Sequence, residues 1–157
     1  MIALLIVALA VSRLATQSTT PTGRIDGDVL LSNQADQQNA WLNESVAEYT
    51  AMMALRNIRG QHAFTTVLDQ KKTSSQGLPP VYGFDRTINP RQSPAVLYSK
   101  GPVLLSELET QLGSAAFAAF LRQAAAARVA QTDSLLDLLA RVSSCEVANA
   151  FLQRLKQ

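Results

Sequence analysis

Metal and nucleophile chemistry draws mostly on imidazoles, thiolates and gathered carboxylates, and this 157-residue chain has one histidine, His62, and one cysteine, Cys145. The lone cysteine excludes an internal disulfide and a cysteine-built zinc cluster. Cys145 stands at a predicted helix start, where a buried, inert thiol is the first reading. His62 also lies near a predicted helix start, in the run GQHAF, where a surface or capping role is the ordinary reading. Two short motifs carry more information. One is Trp41-Leu42-Asn43-Glu44-Ser45-Val46-Ala47-Glu48-Tyr49. The other is Tyr98-Ser99-Lys100-Gly101, whose tyrosine comes 54 residues after Glu44. Singly, each is weak: a carboxylate on a helix is ordinarily solvated, and a tyrosine ahead of a helix ordinarily belongs to core or rim. A third pair, Asp85-Arg86, reads either as a salt-bridged turn or as a substrate-facing pair.

Taken together, in this order and spacing, the two motifs resemble the membrane alanyl aminopeptidase family of gluzincin zinc peptidases. That family carries a W-L-N-E-G-x-A-x-Y helix after its H-E-x-x-H helix, and a Y-x-K-G motif about sixty residues later. The segment YSKGPVLLSELETQL (98–112), with Gly113 and Phe117 after it, is similar to the family's Y-x-K-G-x-x-x-L-x-x-L run into an L-G-x-x-x-F turn. The stretch TDSLLDLL and the terminal FLQRL are similar to the family's tail. The resemblance covers 41–157. It implies a mainly α fold, an irregular helical bundle like the C-terminal helical lobe of a gluzincin catalytic domain. It implies zinc as cofactor and peptide as substrate. Glu44 matches the third zinc ligand, and Tyr98 the catalytic tyrosine whose hydroxyl stabilises the oxyanion of the tetrahedral intermediate. Lys100 and Gly101 match the rest of that motif and are expected to shape the backbone. Ser45 stands where the family has glycine.

One departure is serious. The family needs two histidines four apart on one helical face, with a glutamate between them as general base. Its spacing puts the second histidine nineteen residues before the carboxylate ligand, which is Ile25 here, and the first at Pro21. The segment Pro21-Thr22-Gly23-Arg24-Ile25 offers no ligand and no base, and its proline and glycine oppose a helix. An insertion does not repair this, because His62 follows Glu44. A catalytic zinc takes three protein ligands plus water. Glu44 alone does not hold the metal, and without it the water pKa stays far above neutral. The upstream motif that grips the substrate's amino terminus in the family is missing too.

The bulk composition sets outer bounds. The chain is 47% hydrophobic and 17% charged, ordinary for a globular protein. Its 14 basic and 12 acidic residues leave a formal charge of +2, too small to argue for nucleic acid. The first eleven residues, MIALLIVALAV, are apolar but fall short of the roughly 20 needed to span a bilayer. They read as a signal-peptide core ending near Ala8-Leu9-Ala10, or a membrane contact, or a core segment of a larger domain. No basic residue precedes them. Compartment stays open, with membrane association and secretion as readings.

Two regions follow from the pattern: 1–40, an apolar segment and polar loop with a short strand at 29–31, and 41–157, a peptidase-like helical domain. Helical spacing predicts a first helix over 41–59, with Leu42, Val46, Tyr49, Met53 and Arg56 inward and Gly60 as stop. A second over 61–71 buries Phe64, Val67 and Leu68, with Lys71 and Lys72 at its dipole's negative end. A link over 73–96, rich in Pro and Gly, packs on the domain through Leu78, Val81, Tyr82, Phe84 and Ile88. Further helices are predicted over 102–112, over 114–130 (Phe117, Phe120, Leu121 and Ala124 inward), over 132–142 with Thr132 as N-cap (Leu135, Leu138, Leu139 and Val142 inward), and over 146–156 (Val147, Phe151 and Leu155 inward), the last capped by Ser143 or Ser144.

The functional expectation is a fragment of a zinc-dependent aminopeptidase-like metallopeptidase, inactive as this chain and holding no zinc alone. The alternative is a non-catalytic, peptidase-like binding or scaffold module. A half-domain is expected to expose apolar surface near the Trp41 helix and to self-associate through it.

Overall fold

The computed structural model describes residues 37–157, and there the protein is mainly α-helical, an irregular bundle without a strand among the described residues. The expectations for 1–11, for the strand at 29–31 and for Pro21 and Ile25 lie outside the described residues. The helices are α1 (Ala40–Arg59), α2 (Gln61–Ser74), a single turn α3 (Ser93–Ala95) continuing into a π-helical turn (Val96–Lys100), α4 (Gly101–Leu112), α5 (Ser114–Ala126), α6 (Thr132–Val142) and α7 (Cys145–Leu155). None is long and apolar enough to cross a membrane.

The middle element is α4. It packs against α1 and α2 on one side and α5 and α7 on the other, while α6 pairs with α7. Its sequence suits that place. Gly101, Pro102, Val103, Leu104, Leu105, Leu108 and Glu109 are all buried, as expected of a helix that is apolar nearly all round. Gly60 and Gly113 end α1 and α4 with φ of 85° and 82°, where a side chain would be strained.

The inward stripe of α1 differs from the predicted one. Trp41, Leu42, Ser45, Tyr49 and Met52 are buried, whereas Val46 and Met53 only border the core. The true stripe includes a serine at its centre, which an apolar template passes over. Trp41 itself is 1% exposed, and the large exposed apolar residue of its helix is Ile58, at the far end. Tryptophan can be buried because its indole N–H has a partner: it donates to the Thr132 hydroxyl at 2.9 Å. Thr132 is therefore not the N-cap of α6. Gln131 holds that position, and the orphan N–H of Thr132 is taken at 2.8 Å by the Asn39 side chain, far away in sequence.

Other expectations shift similarly. The second helix runs on to Ser74, and α5 stops at Ala126. Val142 and Ile88, expected inward, are exposed, Ile88 to 70%. Cys145 is exposed instead of buried, because it opens α7 on the solvent side. Of the two serines offered as a cap for α7, Ser144 performs it, accepting from Val147 N–H, while Ser143 bonds back to the Leu139 carbonyl. The link over 75–92 does pack down through Val81 and Phe84, whose neighbours Leu78 and Tyr82 border the core. Val81 and Tyr82 N–H both donate to the Leu155 carbonyl at the end of α7.

Buried Glu109 on α4 was not singled out by the sequence. It accepts from Tyr49 Oη and, at 2.6 Å, from Arg56 Nη2, both on α1. Burial pushes its carboxyl upward, but the bonds from Arg56, Tyr49 and Ser114 outweigh that and leave it below the ordinary glutamate value. Tyr49 moves the other way: burial and the bond to Glu109 raise its phenol, which stays protonated. The Glu109 contribution is thus full above the unfolded glutamate range, near 4.3, and is lost as pH falls through the lower folded value. Glu109→Gln is expected to cost roughly 3 kcal/mol in urea unfolding at pH 7. The variant's stability is expected to depend less on pH below about 4.5 than the parent's.

Candidate functional site

The two motifs that the sequence sets far apart meet in space. Tyr98 Oη donates to Glu44 Oε2 at 2.5 Å, across the seam between α1 and the π-helical turn. Tyr98 is 41% exposed and the Glu44 side chain 33%, so the pair faces solvent.

How the backbone achieves this follows from Pro102. Proline has no N–H, so the carbonyl of Tyr98 loses its ordinary i+4 donor. The preceding turn widens: Gly101 N–H bonds to the Val96 carbonyl, five residues back, and so passes over Leu97. Leu97 would then look to Pro102, which has nothing to give. Two side chains supply the missing donors. Ser45 Oγ bonds to the Leu97 carbonyl at 2.7 Å, and Lys71 Nζ to the Tyr98 carbonyl at 2.6 Å. Ser45 and Glu44 are neighbours on α1, as Leu97 and Tyr98 are on the turn, so one buried bond sets the other pair in register.

Gly101 makes the approach possible. A Cβ built there would lie 1.9 Å from Ser45 Oγ and 2.5 Å from Ser45 Cβ. No side chain fits between the two elements. Ser45 thus fills the space left by Gly101 and feeds a carbonyl that the proline strands. Lys100, the other motif residue, turns away from the pair and donates to the Leu78 and Pro79 carbonyls at 2.8 and 2.9 Å, pinning the 75–92 connection. Burial lowers its pKa below the ordinary lysine value.

Charges surround the pair. Lys71 also bonds to Glu48 Oε1 at 2.6 Å. Arg86 Nη1 lies 3.9 Å from Glu44 Oε1, and Arg86 Nε donates to Gln37 Oε1. The Asp85-Arg86 pair is therefore not a salt bridge within itself. Asp85 closes its own turn, accepting from the N–H and hydroxyl of Thr87 at 2.8 and 2.5 Å, and those bonds hold its carboxyl below the ordinary range. Arg86 is left free to face Glu44. The bond to Glu44, together with burial and the Glu44 charge, raises the Tyr98 phenol above its ordinary value. Tyr98 is consequently a neutral proton donor throughout the physiological range.

Whether these residues suit zinc is a question of donors. Glu44 is a suitable oxygen ligand, but its near neighbours are a phenol and a guanidinium, and a guanidinium repels a metal cation. His62 is exposed at the start of α2, and among the described residues no three His, Cys, Asp or Glu side chains gather into a ligand set. The donors gathered around Glu44 among the described residues do not fit a catalytic zinc. Comparison with protein-family models, with curated proteins and with solved structures gave no match.

The contact between Ser45 and Gly101 is open to a double-mutant cycle. Gly101→Ala is expected to destabilise the chain by roughly 3 kcal/mol through overpacking. In a Ser45→Gly background the same change is expected to cost at least 1 kcal/mol less, measured by denaturant unfolding.

Proposed function

We propose that the chain supplies the carboxylate-and-tyrosine half of a zinc aminopeptidase-like site, and that it does not hydrolyse peptides alone. The observation that supports this reading is the 2.5 Å bond between Tyr98 Oη and Glu44 Oε2. In such a site the ligand carboxylate must reach the metal and the phenol the carbonyl oxygen that the metal polarises, so the two must share an open face. Here the residues that match those two roles do so, although the sequence separates them widely.

Each residue then has a defined task. Glu44 offers a carboxylate on a rigid helix. Tyr98 holds its proton and offers an O–H to charge that develops on a substrate carbonyl oxygen, a donor useful mainly in the transition state. Ser45, Gly101 and Lys71 position them. The two imidazoles and the general base must come from other polypeptide, since the chain has a single histidine. Zinc, once held by such a complete set, would supply Lewis acidity and an activated water.

The alternative of a non-catalytic binding or scaffold module draws support from one contact. Arg86 already sits as counter-ion on the side of Glu44 that Tyr98 leaves free.

Two measurements test the half-site reading. The purified chain is expected to carry far less than one zinc per molecule and to leave aminoacyl anilides intact. A chimera joining 37–157 to the H-E-x-x-H lobe of a gluzincin aminopeptidase is expected to bind zinc through Glu44 and to hydrolyse them. Tyr98→Phe in the chimera is expected to lower kcat by about 10²–10³-fold, the usual loss for one oxyanion donor. Zinc binding unaffected by Glu44→Gln in that chimera would sink the assignment.

A further inference from the structure

The connection over 75–92 is fastened unevenly. Its first part is held firmly: Lys100 binds the Leu78 and Pro79 carbonyls, the Leu155 carbonyl takes Val81 and Tyr82 N–H, and Val81 and Phe84 are buried. Tyr82 adds a bond to Asp133 and lies under Lys156, whose Nζ is 5.0 Å from its ring centre. Beyond Asp85 the anchors change character. Residues 86–92 are exposed, Ile88 among them, and their turns are closed by local backbone bonds such as Asn89 N–H to the Asp85 carbonyl. Thr87 bonds back to Asp85, and Arg86 carries the tip to more distant residues, to Gln37 and to Glu44.

We propose that 86–92 is a lid standing beside the solvent-facing Glu44–Tyr98 pair, with Arg86 as its latch on Glu44. Asp85 aims the latch: its carboxylate closes the turn onto Thr87 and leaves the next side chain pointing at α1. With Tyr98 on Oε2 and Arg86 facing Oε1, Glu44 has both oxygens engaged from within the chain. A cation or donor arriving at Glu44 competes directly with Arg86, and the lid opens when the guanidinium yields. The proposal rests on the half-site reading only in taking the Glu44–Tyr98 pair as a site; the latch itself is a matter of measured opening.

An exposed ion pair of this kind contributes little, so the latch is light, with an expected effect of about two- to fivefold in the open population. Trypsin reads it in the intact chain, because Arg91 lies in the lid while Lys72 and Arg128 lie outside it. Under conditions where opening is fast relative to cleavage, the nicking rate after Arg91 follows that population. Glu44→Gln, which keeps an acceptor for Tyr98 but removes the charge, is expected to speed cleavage after Arg91 about two- to fivefold and leave the other two sites unchanged. Arg86→Gln, which also gives up the bond to Gln37, is expected to do at least as much, and the double variant to match Arg86→Gln. Unchanged cleavage after Arg91 in both variants overturns the latch, as does equal acceleration at all three sites, which reports general loosening. Either result leaves zinc binding by the chimera unaffected, so failure of the latch and failure of the half-site are separate outcomes.

Discussion

A single buried hydrogen bond, from the Ser45 hydroxyl to the Leu97 carbonyl, joins the two elements on which everything else in this protein depends. The bond exists because Pro102 withholds an N–H and the turn before it widens, leaving a main-chain acceptor exposed inside the protein. A buried carbonyl without a partner costs on the order of 1–3 kcal/mol. Ser45 meets it, and Gly101 gives Ser45 room. Because the donor and acceptor each stand next to a residue of the outer pair, satisfying the inner bond also aligns Glu44 with Tyr98. Positioning of the surface groups is thus a by-product of satisfying the backbone beneath them.

A second polar cluster works at the other end of the same helix. Tyr49, Arg56 and Glu109 tie α1 to α4, with Arg56 also stacked on the Phe64 ring at 4.8 Å. Between the two clusters lies apolar packing, including edge-on contacts of Tyr49 with Phe64 and Phe117. The arrangement fixes α1 at two separated points, against the π turn through a hydroxyl and against α4 through charge. That restrains both sliding and rotation of the helix that carries Glu44.

Much of the helical order was legible from spacing, since glycine stops and leucine periodicity are local signals. Gly60 and Gly113 mark ends that the structure keeps, and Leu135, Leu138 and Leu139 face inward as their periodicity requires. Residues whose role depends on distant partners were not legible. Nothing beside Thr132 reveals that Asn39 will cap its N–H, and nothing beside Glu109 reveals Arg56 across the interface. Nothing in the local pattern around Glu44 or Tyr98 brings them together; the π turn that does so follows from the missing N–H of Pro102, a local signal. Arg86 was recognised as one of two options; its direction depended on Asp85 turning to Thr87, a choice that composition does not express.

The double acceptor at the end of α7 has a consequence for biosynthesis. The Leu155 carbonyl receives Val81 and Tyr82, so the connection that reaches the outer pair is stitched to the last turn of α7. A ribosome-bound nascent chain has made α1, α2 and α4 well before Leu155 leaves the exit tunnel. The early helices can dock while the 75–92 connection is held through Lys100 alone, and Val81 and Tyr82 gain their acceptor only once α7 has formed.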